Sequence, residues 1–191
     1  MEKNINPKDR IIEVATKLFY ENGYAETGIN EILNNSSTFK KTFYTHFSSK
    51  TELGIYYLTQ IENELLNLSE KLLSKYSKFD EFIKAWMIII RNKLSKDYNS
   101  GCPLANISSS SIELSNKVRS IFQNLKNPFT RYFQKNYKLP LNQCIELSEE
   151  ILFLYEGAMN SYKLDSSKKY FQYMEKHLEY IYQRLNNMSS I

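Results

Sequence analysis

Residues 38–50 read Thr38-Phe39-Lys40-Lys41-Thr42-Phe43-Tyr44-Thr45-His46-Phe47-Ser48-Ser49-Lys50. Between Glu31 and Glu52 there is no acidic side chain. Lys40, Lys41, His46 and Lys50 sit in that gap, interleaved with hydroxyls and aromatic rings. A short helix of this composition suits a polyanion. Lysines neutralise phosphates, hydroxyls hydrogen-bond them, and side chains near the helix start can reach base edges.

Working outward, Pro7 is a first-turn residue, and Ile11, Ala15, Leu18 and Phe19 recur at helical spacing. Asn22-Gly23 is a helix stop. A second short helix carries Ile29, Ile32 and Leu33, with Thr27 placed to cap its start. Asn34-Asn35-Ser36-Ser37 reads as a polar turn. Thr38 is placed to cap a third helix over about 39–45, which buries Phe43 and turns Lys40, Lys41 and Thr42 outward. Ser49 caps a fourth helix over about 50–76. Three short helices, the second and third joined by a tight turn, make a helix-turn-helix unit. Its last helix enters a major groove N-terminus first, with Lys40, Lys41 and Thr42 leading.

The remainder also reads as helix. Phe79, Phe82, Ile83, Trp86, Ile90 and Leu94 form an apolar stripe, and residues 99–103 (Asn-Ser-Gly-Cys-Pro) are a break. A Ser-rich helical stretch follows from Leu104. Leu114, Val118, Ile121, Phe122 and Leu125 form the next periodic face, which Pro128 is expected to kink or break near Asn127. Two long helices over 141–164 and 167–187 finish the chain. The predicted fold class is all-α, with about nine helices.

The 191 residues are 42% hydrophobic, enough for a globular core without disulfides or metals. Five Gly and four Pro are few, which favours long helices over a turn-rich sandwich. The net charge of +4 is mild, and residues 1–50 hold 7 Lys/Arg against 6 Asp/Glu, so local distribution matters more than the sum. The N-terminus is polar and the longest apolar run, 85–90, is far short of a membrane span. A cytoplasmic protein with reduced Cys102 and Cys144 and no membrane partner is the expectation.

The N-terminal pattern resembles the TetR family of bacterial transcriptional repressors. The elements that carry the resemblance are Leu18-Phe19, Gly23-Tyr24, Thr27, Ile32, Thr42-Phe43-Tyr44, His46-Phe47 and Ser49-Lys50, in order and without gaps over about residues 10–58. The resemblance implies that Thr27, Tyr44, His46 and Lys50 contact phosphates and that Lys40, Lys41 and Thr42 read bases. Thr38, Phe39 and Thr45 complete the expected DNA-facing set, and Phe43 and Phe47 are expected to pack inward. It also implies a DNA-binding domain over 1–48 and a helical ligand-binding and dimerisation domain over 49–191. Four positions depart from the family pattern: Ser37 stands where the turn usually has Gly, Thr38 replaces a small aliphatic, Phe39 a Ser, and Lys41 a common Gly.

No catalytic or cofactor motif is legible. The two histidines, His46 and His177, lie in different helices, and neither a Gly-rich phosphate loop nor a Gly-x-Ser-x-Gly elbow is present. The chain is therefore read as a regulator and not an enzyme, needing no cofactor and no metal. The alternative is a helical adaptor or enzyme without a DNA role.

Trp86, Met87, Phe122, Phe129, Tyr132, Phe133, Tyr155 and Met159, with Asn106 as a polar handle, are the expected lining of a pocket for a flat or amphipathic small molecule. Gly157 and Ser161 share a helix face that another helix could approach closely. With Ala158, Tyr162, Met174, Leu178, Ile181 and Leu185 they are the expected homodimer interface. Two recognition helices per dimer would suit a palindromic operator. Cys102, in Gly101-Cys102-Pro103, is a candidate redox or electrophile sensor.

Overall fold

The computed structural model describes residues 6–94 and 101–188. Among these residues the chain forms nine helices and no strands. They are α1 (Pro7–Glu21), α2 (Ile29–Asn35), α3 (Lys40–His46), α4 (Lys50–Lys75), α5 (Phe79–Leu94), α6 (Pro103–Ser108), α7 (Ile112–Tyr137), α8 (Leu141–Asp165) and α9 (Lys169–Met188). No helix of the described chain is long and apolar enough to cross a membrane.

Two compact units emerge. The first comprises Met1–Ile61 with Pro103–Arg119, the second Glu62–Cys102 with Ser120–Ile191. Compactness thus does not change at the sequence boundary of 48/49. The first unit keeps the opening turns of α4 because Leu53, Tyr57 and Leu58 are buried in it. It also takes α6 and the start of α7, which bring the buried Ile107 and Leu114.

In the first unit, Asn6 caps α1 by accepting from the Asp9 N–H at 2.9 Å, and Pro7 occupies the first turn, where its missing N–H costs nothing. Ile11, Ala15 and Phe19 form the buried stripe of α1. Gly23, at φ 86, turns the chain after it. Tyr24 then packs its ring 5.0 Å from Phe19. The first turns of α4 approach this ring closely. A Cβ at Gly54 would lie 2.8 Å from Tyr24 Cε2 and 3.1 Å from Leu114 Cδ2, so only glycine fits there without displacement.

In the second unit, α5 buries Phe79, Phe82, Ile83, Trp86, Ile90 and Leu94, the stripe expected from spacing. Phe79 stacks on Phe82 at 5.5 Å and meets Phe133 edge-on at 5.3 Å. Tyr137 accepts a hydrogen bond from the Phe79 N–H at 2.9 Å, and Tyr132 donates to the Ser77 carbonyl at 2.9 Å, tying α7 to the start of α5. α8 and α9 pack as an antiparallel pair around Tyr162 and Phe171 (5.5 Å), with Arg184 on Glu150 at 2.5 Å across their exposed edge.

The expected break at Pro128 is not made. α7 runs unbroken through Pro128. An interior proline costs a helix about 3 kcal/mol. Leu125 before it and Phe129, Tyr132 and Phe133 after it are all buried on one side of the helix. Burying large side chains at about 1.5–3 kcal/mol each outweighs the proline, so the helix continues.

Candidate nucleic-acid interface

The turn between α2 and α3 decides how α3 is presented. Ser36 ends α2, Ser37 adopts φ 50, and Thr38 follows. The Thr38 N–H donates to the Leu33 carbonyl at 3.0 Å and the Ser37 N–H to the Asn34 carbonyl at 3.3 Å. This six-to-one plus five-to-two pair is a Schellman closure with serine at the left-handed position. The position that lacks the family's glycine is therefore the one whose backbone most favours it. Ser37→Gly should raise the melting temperature by about 2–4 °C, the shift expected for about 1 kcal/mol in a chain of this size, with no change in the α2–α3 geometry. Thermal unfolding followed by circular dichroism checks this; an unchanged or lower midpoint would contradict it.

Two expected helix caps are not made. Thr27 is fully buried, and its hydroxyl donates to the Gly23 carbonyl at 2.8 Å; α2 is capped by Gly28 without a side-chain bond. Thr27 thus closes the α1–α2 loop internally and has no outward hydroxyl to offer a phosphate. The hydroxyl of Thr38 lies 2.7 Å from that of Ser36, and Phe39 takes the N-cap position of α3. α3 accordingly starts and ends one residue later than read from the sequence. Ser49 does cap α4, accepting from the Glu52 N–H at 3.0 Å, while Glu52 accepts from the Ser48 N–H at 2.6 Å. The Ser48 hydroxyl, which donates to the same carboxylate at 2.7 Å, and the Ser48 N–H hold the Glu52 carboxyl below the usual carboxylate range.

α3 has two unlike faces. Phe43 (0% exposed) and Phe47 point into the unit, 5.9 Å apart. Lys40, Lys41, Tyr44 (47%) and Thr45 point outward, and Phe39 stands 81% exposed at the leading end. Thr42 and His46 are half-buried at the flanks. Thr45 donates back to the Lys41 carbonyl at 2.9 Å, which leaves its oxygen lone pairs free. Beside this face, Lys50 lies over the Tyr24 ring at 4.3 Å and reaches the Ala25 carbonyl at 3.4 Å. Partial burial lowers its pKa from the usual lysine value. Its ammonium is held in place by a ring and a carbonyl, with no carboxylate bonded to it among the described residues.

Residues 11–55 match the family described as bacterial regulatory proteins, tetR family. Over those residues the chain is similar to the tetR family. Its sequence is 32% identical over 109 residues to an HTH-type transcriptional regulator of Lactococcus lactis, an alignment covering 53% of each chain. The chain thus spans about half the length of that curated relative. At 18% identity, which supports the fold alone, it superposes on a TetR transcriptional regulator from Legionella pneumophila with a TM-score of 0.80, covering 94% of this chain and 99% of that one. A TetR-family regulator from Streptomyces coelicolor gives a TM-score of 0.81 at 18% identity, covering 94% and 95%.

The second unit contains an apolar cavity of about 50 Å³ between α4, α5, α7 and α8. Of the expected lining, Trp86, Phe122, Phe129 and Tyr155 are present. Met87, Tyr132, Phe133 and Met159 are buried elsewhere as core, and Asn106 belongs to the first unit. The sequence reading missed Leu65, Leu68 and Leu72 of α4 and two charged residues, Lys93 and Glu156. Leucine spacing on α4 was the available signal, but it is the spacing of any packed helix.

The expected dimer residues divide as well. Ala158, Tyr162, Met174, Leu178, Ile181 and Leu185 are buried within the single chain, because they form the seam where α9 packs on α8 and α5. Gly157 and Ser161 remain at the surface, and Phe153 (75% exposed), Tyr173, His177 and Tyr180 join them on the outer face of α8 and α9. Cys102 is buried and its thiol donates to Glu156 Oε1 at 3.0 Å. A reagent in solvent does not reach it in this conformation.

Proposed function

We propose that the chain is a ligand-responsive transcriptional repressor that binds a palindromic operator as a homodimer. The observation that carries this reading is the outer face of α3: Phe39, Lys40, Lys41, Tyr44 and Thr45 exposed together on a helix anchored from behind by Phe43 and Phe47. Lys40, Lys41 and Thr42 read bases in the major groove, and Tyr44, His46 and Lys50 contact phosphates. Phe39 offers an apolar surface, for which the thymine methyl is the only apolar partner in that groove.

Dimerisation is assigned to the outer face of α8 and α9, where Phe153, Tyr173 and Tyr180 lack cover and Gly157 permits close helix approach. A two-fold pair then sets two α3 helices roughly 34–36 Å apart, one turn of duplex. The effector occupies the second-unit cavity. Drug-sized ligands need about 300 Å³ or more, so the cavity widens on binding by rotation of its aromatic walls. The effector lowers operator affinity by binding the DNA-free form more tightly, with a coupling of about 1–3 kcal/mol.

Selection of bound fragments from genomic DNA tests the reading. Enrichment of one inverted repeat is expected. On that site, Lys41→Ala should change which base is preferred in each half-site, while Tyr44→Phe should weaken binding to all sequences alike. Recovery of fragments with no shared sequence would overturn it.

A further inference from the structure

The second-unit cavity is apolar except at one point. Glu156 is the only acidic residue lining it, and among the described residues no cation pairs with its carboxylate. Its two partners are neutral donors: the Cys102 thiol on Oε1 at 3.0 Å and the Asn160 amide on Oε2 at 3.4 Å. Both direct hydrogens at the oxygens, an arrangement that suits the ionised carboxylate. Burial, the largest influence, nevertheless pushes the Glu156 carboxyl above its usual range. A partly desolvated carboxylate with only neutral partners is an unmet demand for positive charge.

The walls match that demand. Trp86 and Tyr155 lie 5.5 Å apart at 31°, and Phe129 stands 6.3 Å from Trp86, so aromatic faces border the space beside Glu156. Such faces attract cations most when water is excluded. Phe122, Leu152 and Glu156 also line an outer groove on α7 and α8, so the carboxylate stands where an incoming ligand passes from solvent. Lys93, the only cation of the lining, is exposed.

We infer that the cavity selects a lipophilic cation, an ammonium carried on an apolar or aromatic body, with Glu156 as the charge-reading residue. This rests on the proposed reading of the cavity as the effector site, and deepens it.

Trp86 is the only tryptophan of the chain and lies on the cavity wall, so its emission reports occupancy directly. Three probes of nearly one shape separate charge from fit: benzyltrimethylammonium, its neutral carbon isostere neopentylbenzene, and the anion phenylmethanesulfonate. Each is titrated into the full chain. The cation should bind about tenfold or more tighter than the isostere, and the anion weakest. In Glu156→Gln, which preserves shape, the cation's advantage should fall to within about threefold, while Glu156→Asp should retain it. A cation no tighter than the isostere, with the isostere still shifting Trp86 emission, would overturn the charge selection and leave the effector cavity standing. If none of the three shifts the emission or shows heat of binding, the cavity reading itself fails. Should Glu156→Gln not fold, the three wild-type affinities still decide.

Discussion

Operator affinity should fall about a thousandfold as monovalent salt rises from about 50 to about 200 mM. The expectation follows from the charges on the α3 face. Lys40, Lys41 and Lys50 give three lysines per protomer without an acidic residue between Glu31 and Glu52, and a dimer doubles that set. A lysine brought into the duplex displaces condensed counterions whether it ends on a base edge or on a phosphate, so about six lysines give a slope of log affinity against log salt near −5. Anisotropy of a labelled operator over a salt series measures it. A slope shallower than about −2 would mean that these lysines do not enter the duplex. Salt dependence also separates this reading from a helical adaptor or enzyme, whose partner binding has no reason to follow counterion release.

A large single-site loss of stability is expected at Phe43. The side chain is fully buried, meets Phe47 at 5.9 Å and lies edge-on to Tyr44 at 5.3 Å. Phe43→Ala removes most of a ring from a closed site and should cost about 3–5 kcal/mol. Phe43→Leu, which keeps most of the volume, should cost about 1.5 kcal/mol or less. Urea unfolding with circular dichroism gives both values. The same ring is what orients α3, so operator affinity should drop with stability in Phe43→Ala and recover in Phe43→Leu. An alanine variant as stable as the parent would show that α3 is held by something other than its inner face.

The helix boundaries and the two-faced character of α3 were legible because period, capping serine and turn residues agree. The errors share a physical cause. Thr27 and Thr38 have the composition of helix caps, yet a threonine hydroxyl serves equally well inside a loop, as the Thr27 bond to Gly23 shows. Local preference at Pro128 points to a kink or a break, and packing of Leu125 and Phe129 on either side carries the helix through without a break. In α9, Met174, Leu178, Ile181 and Leu185 have the period of a buried face, but period does not say whether the covering helix belongs to the same chain. The cavity was half legible: its aromatic residues stand out in the sequence, whereas nothing local sets Glu156 apart from Glu146, Glu149 and Glu150 on the same helix. Its carboxylate accepts from Cys102, 54 positions away, and no local pattern joins the two.

The first unit is written in the chain as two pieces, with Glu62–Cys102 intervening. Tyr24 and Gly54 have no finished neighbourhood until Ile107 and Leu114 have been made. During synthesis, at about 5–20 residues per second, the recognition helix therefore waits several seconds for a segment encoded much later. A truncated message that encodes only the helix-turn-helix yields a head with an open seam beside Gly54. A product that ends before α6 is therefore expected to unfold more readily than the same residues in the full chain.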